Sequence, residues 1–218
     1  MILDKRADLG HGDVKKLLFS LSVPTITSQI VNMLYNLVDR VFIGHMQPAE
    51  TVGKLALTGV GVCLPIIMVI SAFASLMAIG GAPRASIAEG AGESEKSERI
   101  MGNCLTMLVI TALVLTVLFE SFAEPLLLMF GASENTIGYA LDYMRIYALG
   151  TIFVQLTLGM NAYITAQGFA TVSMKTVLIG ALLNTALDPL FIFVLGLGVR
   201  GAALATVISQ AVSAVWVM

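Results

Sequence analysis

The sequence predicts an all-α membrane protein, a bundle of six transmembrane helices, and three observations support that prediction. Of the 218 residues, 57% are hydrophobic and only 12% are charged. The mean hydropathy of +0.91 lies outside the range of soluble domains. The apolar residues also fall into segments of about the 20 residues that a helix needs to cross a bilayer. The lipid bilayer is therefore an expected partner of this chain.

Six apolar segments follow a polar leader at residues 1–15. The predicted spans run near residues 16–44, 55–80, 101–119, 138–165, 174–196 and 201–218. The first and fourth are partly polar and longer than about 20 residues, so these two must tilt, kink or protrude. Pro24 lies inside the first span, where its missing N–H breaks a helical hydrogen bond and favours a bend. A static kink is the alternative.

Two connections and one helical pair account for much of the remaining charge. Residues 80–99 are rich in Gly, Ser and Glu, which predicts a solvated cytoplasmic loop, with a helix from Ser94 as the further option. The connection between the third and fourth spans contains Glu120, Glu124 and Glu134 but no Lys or Arg. Inside the fourth span, Asp142 and Arg145 have the i, i+3 spacing of a structural ion pair.

Lysine and arginine are distributed unevenly between the two sides of the predicted bundle. One side carries eight of them and the other three. The larger set is Lys5, Arg6, Lys15, Lys16, Arg84, Lys96, Arg99 and Lys175, and the smaller set is Arg40, Lys54 and Arg200. Because basic loops are retained in the cytoplasm, the N-terminus is predicted to be cytoplasmic. No basic stripe exists, so nucleic acid is not expected as a partner.

Asp188 is the most informative residue, because it lies inside residues 177–197, which carry no other charge. An ionised carboxylate within a span costs at least about 2.5 kcal/mol unless it is paired, solvated or protonated. Asn184 lies one turn earlier on the same face, and Pro189 displaces the carbonyl of Thr185 from its helical bond. This set of oxygens suits a proton or a small hard cation. The alternative is an acid, held by Asn184, that only shapes a kink.

Asp39 is the second acid within a span, and it ends a polar stripe on the first helix. The stripe steps by three or four residues and so occupies one helical face: Gln29, Asn32, Asn36 and Asp39. Polar faces of spanning helices turn toward protein or water rather than toward lipid. The alternative is an interfacial acid that is wetted at the membrane edge and paired with Arg40.

Four polar groups from four predicted helices fall at a similar depth. At about 1.5 Å per residue, Asp39 lies on the order of 8 Å below the outer helix end, Asp188 about 12 Å and Thr206 about 8 Å. Tyr143 falls at a similar level in the fourth span, where a packing role is the alternative. Small residues just before Thr206 would let the sixth helix approach the fifth, which brings Thr206 near Asp188.

The order of these features resembles the multidrug and toxic compound extrusion (MATE) family of transporters. The resemblance runs through nearly all of the chain and rests on Pro24, Gln29, Asn32 and five longer stretches. These stretches are NLVDRVFIGH (36–45), GAPRASIAEGAGE (81–93), AQG (166–168), NTALDPLFIF (184–193) and GVRGAALATVISQ (198–210). Each motif is weak alone, but their order and spacing together are specific.

The resemblance implies that the chain is the N-terminal lobe of a twelve-helix transporter, not an enzyme. The family exports cationic or amphiphilic compounds in exchange for Na⁺ or H⁺, without a further cofactor. The family's cation or proton site maps onto Asp39, Asn184, Asp188 and Thr206, which would be the metal ligands for Na⁺, with Tyr143 as a further match. The substrate cavity would be lined by Asn32, Thr157 and Asn161. Pro24 would be the bend point of the first helix.

The resemblance also implies a location and a missing partner. The expected location is the plasma (inner) membrane of a bacterium or archaeon, with several spans. Family members carry a second six-helix lobe related to the first by a parallel repeat, which this chain lacks. The apolar, uncapped end of the chain favours a fragment; otherwise a second copy or another chain would complete the pore.

Other functions make different demands on these residues. A lipid-linked precursor flippase of the same superfamily would need a cationic cavity for its phosphate cargo, whereas the predicted cavity is acidic. An intramembrane aspartyl protease also needs two acids, but neither Asp39 nor Asp188 lies in a Tyr-Asp or Gly-x-Gly-Asp motif. A helical scaffold that transports nothing is the remaining alternative, and in it Asn161 would only join helices.

Overall fold

The structure, a computed structural model, describes residues 13–218, and the predicted leader lies almost wholly outside the described residues. Within that range the chain forms α-helices joined by short turns and two π-helical segments, with no strand, which confirms the all-α prediction. The helices are α1 (Val14–Gly44), α2 (Lys54–Val62), α3 (Leu64–Gly90), α4 (Ser94–Met129), α5 (Ile137–Leu149), α6 (Thr151–Ala166), α7 (Ala170–Pro189) and α8 (Val199–Val217). The π-helical segments are Ala49–Gly53 and Leu190–Val194.

Five helical units within the described residues are long and apolar enough to cross a membrane, and the α5–α6 pair makes a sixth if it counts as one span. The pair is bent by 56° at Gly150, so the long fourth span is kinked, as its length predicts. A Cβ at Gly150 would lie 2.4 Å from a methyl group of Val207 on α8. Glycine at the bend therefore allows this corner to pack against α8.

The predicted loop at 80–99 is wrong for residues 80–90, whereas a helix does begin at Ser94, as the further option expects. Helix α3 continues through Pro83 to Gly90, and α4 begins at Ser94, so the connection is a short turn. The reason is packing, because the alanines at 82, 85 and 88 lie on the buried face of α3 and the first two pack around Tyr163 of α6. Small residues that look like a loop in the sequence here let helices approach closely.

Two further expectations about charged residues are corrected. Glu120 and Glu124 lie inside α4 rather than in a loop; the helix is broken at Phe122, a short distance before Pro125, and then resumes. At about 54 Å, α4 is much longer than the 30 Å core of a bilayer. Asp142 pairs with Arg200 of α8, 2.8 Å away, rather than with Arg145.

Helix α1 has the least buried surface of the long helices. Its buried residues are Ser28, Asp39 and Ile43, whereas Met33 is 73% exposed. Its main neighbour is α7, and α7 in turn packs against α8. The polar stripe of α1 therefore lies beside the helix that carries Asp188.

Candidate functional site

The two acids within the spans lie close together on neighbouring helices. Asp39 of α1 is 7% exposed and Asp188 of α7 is fully buried. Their charges interact across the α1–α7 contact. One carboxylate oxygen of each, Oδ1 of Asp39 and Oδ2 of Asp188, is buried without a hydrogen-bond partner among the described residues. Buried acids with unpaired oxygens can accept a proton or coordinate a cation.

The burial of Asp39 favours a residue within the bundle over an interfacial acid. A wetted acid at the membrane edge would be exposed, and Asp39 is not. The charge of the neighbouring Arg40 does act on Asp39, as the interfacial interpretation expects. The site therefore faces protein, with one basic residue near it on the same helix.

Asn184 connects the acid on α7 to α8. Its amide nitrogen Nδ2 donates to Oδ1 of Asp188 at 3.2 Å and to Oγ1 of Thr206 at 3.4 Å. The Thr206 hydroxyl in turn donates to the carbonyl of Ala202 at 3.0 Å. Because both amide hydrogens point at these oxygens, the carbonyl oxygen Oδ1 of Asn184 is left buried and unpaired. The predicted approach of Thr206 to Asp188 is present in the structure.

Small residues at the start of α8 make this approach possible. A Cβ at Gly201 would come within 2.7 Å of the backbone of Phe191, at the π-helical segment after Pro189. Ala202, Ala203 and Ala205 are fully buried beside it. The end of α7 and the start of α8 therefore touch through their backbones, which fixes Thr206 beside Asn184.

Tyr143 brings a third helix to the site. It is buried on α5, and its ring stacks on Tyr147 with a centroid distance of 6.0 Å. Its hydroxyl interacts with Thr206, and it also interacts with the charge of Asp39. The structure thus brings the five predicted ion-site residues together from α1, α5, α7 and α8, and Tyr143 also has the predicted packing role.

Two residues of this cluster were missed from the sequence. Tyr35 lies one turn before Asp39 on α1, and its hydroxyl interacts with Gln210 of α8 and with the charges of both acids. Gln210 lies one turn after Thr206. The sequence signal for both is their i, i+4 spacing, Tyr35 to Asp39 and Gln210 to Thr206.

The three predicted cavity residues lie together beside the acids. Asn32, Thr157 and Asn161 line a small cavity of about 50 Å³ that Asn184 and Thr206 also line. Asn32 and Asn161 also face a larger cavity of about 490 Å³ between α1, α3, α6 and α7. The two spaces share these asparagines, so the larger cavity adjoins the small one that Asn184 and Thr206 line.

The cavity residues also join helices. Asn161 Nδ2 donates to the carbonyl of Ser173 on α7, and Thr157 Oγ1 donates to the carbonyl of Gln210, each at 3.3 Å. The amide oxygen of Asn161 remains buried without a partner. Asn161 therefore joins α6 to α7, as the alternative interpretation expects, and still offers an acceptor to the cavity.

Comparison with known proteins places this arrangement in a family. The MatE family model matches residues 24–190, which is most of the chain. The chain belongs to the MATE family. The multidrug export protein MepA of Staphylococcus haemolyticus is 30% identical over 203 residues, which are 93% of this chain and 44% of MepA. The resemblance inferred from the motifs is confirmed, and this relative is named for export rather than for catalysis.

Solved MATE structures share the fold. A MATE protein in a bent conformation is 29% identical, with a TM-score of 0.86 over 94% of this chain and 45% of that protein. A MATE protein in a straight conformation is 29% identical, with a TM-score of 0.85 over 94% of this chain and 44% of that protein. The chain spans about half the length of the relatives it matches, so its bundle corresponds to one lobe of a MATE protein.

The bend point implied by the MATE resemblance lies within a continuous helix here. Helix α1 runs without interruption through Pro24. Three hydroxyls around it bind carbonyls one turn earlier: Thr25 to Leu21 at 2.7 Å, Thr27 to Val23 at 2.8 Å and Ser28 to Pro24 at 2.8 Å. Such hydroxyl bonds compete with the backbone ladder and weaken the helix locally.

The atoms of the site that could bind an ion are oxygens. Among the described residues, no group of three or more His, Cys, Asp or Glu side chains comes together to bind a metal. The cluster instead offers two carboxylates, an amide oxygen and hydroxyls. Carboxylate, carbonyl and hydroxyl oxygens suit a hard cation or a proton rather than a soft metal ion.

Proposed function

We propose that the protein containing this chain exports cationic or amphiphilic compounds across the plasma membrane in exchange for Na⁺ or H⁺. Membership of the MATE family and the similarity to MepA support export as the activity. The observation that carries the exchange is the pair of buried acids, Asp39 and Asp188, whose charges interact beside a polar cavity. The uneven distribution of Lys and Arg supports a cytoplasmic N-terminus.

The exchange follows from competition for negative charge. Two carboxylates with unpaired oxygens in a poorly hydrated site favour the binding of a cation. A coupling ion that enters from outside neutralises part of this charge and weakens the hold on a cationic substrate. The ion drives transport only if it binds the two conformations with different affinity.

The ligands for a coupling ion are the free oxygens described above. For Na⁺ these are the carboxylates of Asp39 and Asp188, the Oδ1 of Asn184 and the hydroxyl of Thr206, with Tyr143 beside them. For H⁺ either carboxylate can be the acceptor. Asn184 supports both cases, because its donors orient Asp188 and Thr206 while its own oxygen stays free.

Helix α1 is the element through which ion binding would change the shape of the lobe. It carries Asp39, and Asn32 of the cavity lies two turns earlier on the same helix. Loss of charge at Asp39 would alter the α1–α7 contact, and Pro24 is the point at which α1 would bend. MATE proteins solved in bent and straight conformations support such a change.

The pore requires more than this lobe. Relatives about twice as long support a second six-helix lobe as the partner, with a second copy of this chain as the alternative. A flippase for a phosphate cargo is not favoured, because neither of these two cavities is lined by a lysine or arginine of the described chain.

The test is export of a fluorescent cation, ethidium, from cells that carry Asp39→Asn, Asp188→Asn or both. Each single variant is expected to lose ion-driven export, because it removes one of the two charges that the ion neutralises. Asp142→Asn is the matched control, since this acid is half-exposed and pairs with Arg200 rather than with a residue of the cluster. Wild-type export by the double variant at equal protein levels would refute the assignment.

A further inference from the structure

A groove of about 740 Å³ lies between α3 and α4, near the end of the bundle where the two helices are joined. Its apolar wall includes Leu76, Met77 and Ile100, and its rim includes Arg84, Glu93 and Lys96. The volume falls within the roughly 300–1,000 Å³ of sites that bind small molecules. An apolar wall with a charged rim at a helix end matches a molecule that has an apolar chain and a polar head.

The groove faces away from the substrate cavity. Ala78 and Ala82 of α3 line the larger cavity of about 490 Å³, whereas Met77, Gly80 and Arg84 line the groove. Successive residues of a helix are separated by about 100°, so these two sets point to opposite sides of α3. The groove therefore lies on the other side of α3 from the larger cavity, and Leu76 at its wall is 61% exposed.

The charge of the rim is positive on balance. Lys96 is paired with Glu93, Nζ to Oε2 at 2.7 Å, so these two charges offset each other. Arg84 is exposed and forms no ion pair with a residue in the described range. A guanidinium has five donors in a plane and binds phosphate in a bidentate manner. Basic pockets between transmembrane helices bind the head groups of anionic lipids.

Gly80 gives the groove its depth. A Cβ at Gly80 would meet nothing within 4 Å, whereas one at Gly81 would collide with Tyr163 and Cys104. The absence of a side chain at Gly81 is needed for helix packing, whereas its absence at Gly80 leaves open space. This space continues the apolar wall toward Arg84.

We propose that this groove binds an anionic phospholipid. The phosphate contacts Arg84, and one acyl chain lies along Leu76, Met77 and the open backbone at Gly80. This site is separate from the ion and substrate site, so the proposal holds whichever coupling ion is used.

Native mass spectrometry of the purified protein with phosphatidylglycerol, and with phosphatidylcholine for comparison, tests the site. Phosphatidylglycerol is expected to bind more tightly, and Arg84→Gln to weaken it roughly fivefold. Arg99→Gln is the matched control, because Arg99 is exposed near the same end of α4, pairs with Glu95 and lies outside the groove. Its binding is expected to equal that of the wild type.

A second variant tests the acyl part without changing charge. Gly80→Leu fills the open space, so bound phosphatidylglycerol should be lost while the thermal unfolding temperature does not fall. Wild-type lipid binding by both Arg84→Gln and Gly80→Leu would overturn the proposal. So would displacement of the lipid by inorganic phosphate alone, or no phosphatidylglycerol bound to the wild type, as expected if a second lobe covers the groove.

Discussion

The side-chain amide of Asn184 donates to the buried carboxylate of Asp188 across one turn of α7, over 3.2 Å. The same amide nitrogen reaches Thr206 on α8. One neutral side chain thus orients an acid and joins two helices, while its own oxygen stays free for a ligand.

Replacement of Asn184 by Ala is expected to lower stability and to weaken ion binding. The substitution leaves the buried Oδ1 of Asp188 without its donor, which costs about 1–3 kcal/mol. The measurement is thermal unfolding with and without NaCl, at constant ionic strength. Asn103→Ala is the control, because Asn103 is exposed on α4. Equal unfolding temperatures for the two variants would contradict the role of Asn184.

Thr206→Val should distinguish the contribution of the Thr206 hydroxyl to export from that of the side chain's shape. Valine keeps the branched side chain but removes the group that accepts from Asn184 and lies beside Tyr143. Export of a cation is expected to fall, whereas Thr206→Ser, which keeps the hydroxyl, should retain most of it. The measurement is ethidium efflux at matched protein levels. If serine and valine behave alike, the hydroxyl is not a ligand.

Gly150→Ala is expected to destabilise the α5–α6 corner by about 1–3 kcal/mol, because the new Cβ would overlap the methyl groups of Val207. Addition of Val207→Ala should recover part of the loss, since the two sites are in contact and their effects are not additive. Gly138→Ala is the matched control in α5, where a Cβ meets nothing within 4 Å. The unfolding temperatures of the three variants and the wild type give the comparison.

Pro24→Ala should preserve the fold but slow transport. Helix α1 is already continuous at this position, so alanine restores a backbone hydrogen bond without a change of path. A stiffer α1 would bend less readily when Asp39 is neutralised. The measurement is the efflux rate. Pro125→Ala is the control, because it lies in α4, which carries none of the predicted ion-site residues. An unchanged rate for Pro24→Ala would remove the bend from the mechanism.

The sequence was sufficient for the helical class, the number of spans and most of the acid cluster. Span length and charge follow directly from the properties of a bilayer, and Asp39 and Asp188 stand out because charge within a span is costly. Thr206 was found because helix depth can be counted from the helix ends at a fixed rise per residue.

The remaining features depend on contacts that sequence spacing does not reveal. Asp142 and Arg200 are separated by 58 positions, so the nearer Arg145 was a natural but incorrect partner. The helical continuation at 82–90 was missed because its alanines pack on α6, and composition alone does not distinguish packed from solvated small residues. Gln210 reaches Tyr35 only because α8 lies close to α1.

The sparse anchoring of α1 links two properties that might otherwise evolve separately. Asp39 is the one charged residue among the buried residues of α1. The carboxylate that would bind the coupling ion therefore also contributes to the packing of α1 against the bundle. A substitution near Asp39 that raises the affinity for the ion would therefore also change how readily α1 moves. Ion affinity and the rate at which α1 moves are therefore both expected to depend on the carboxylate of Asp39.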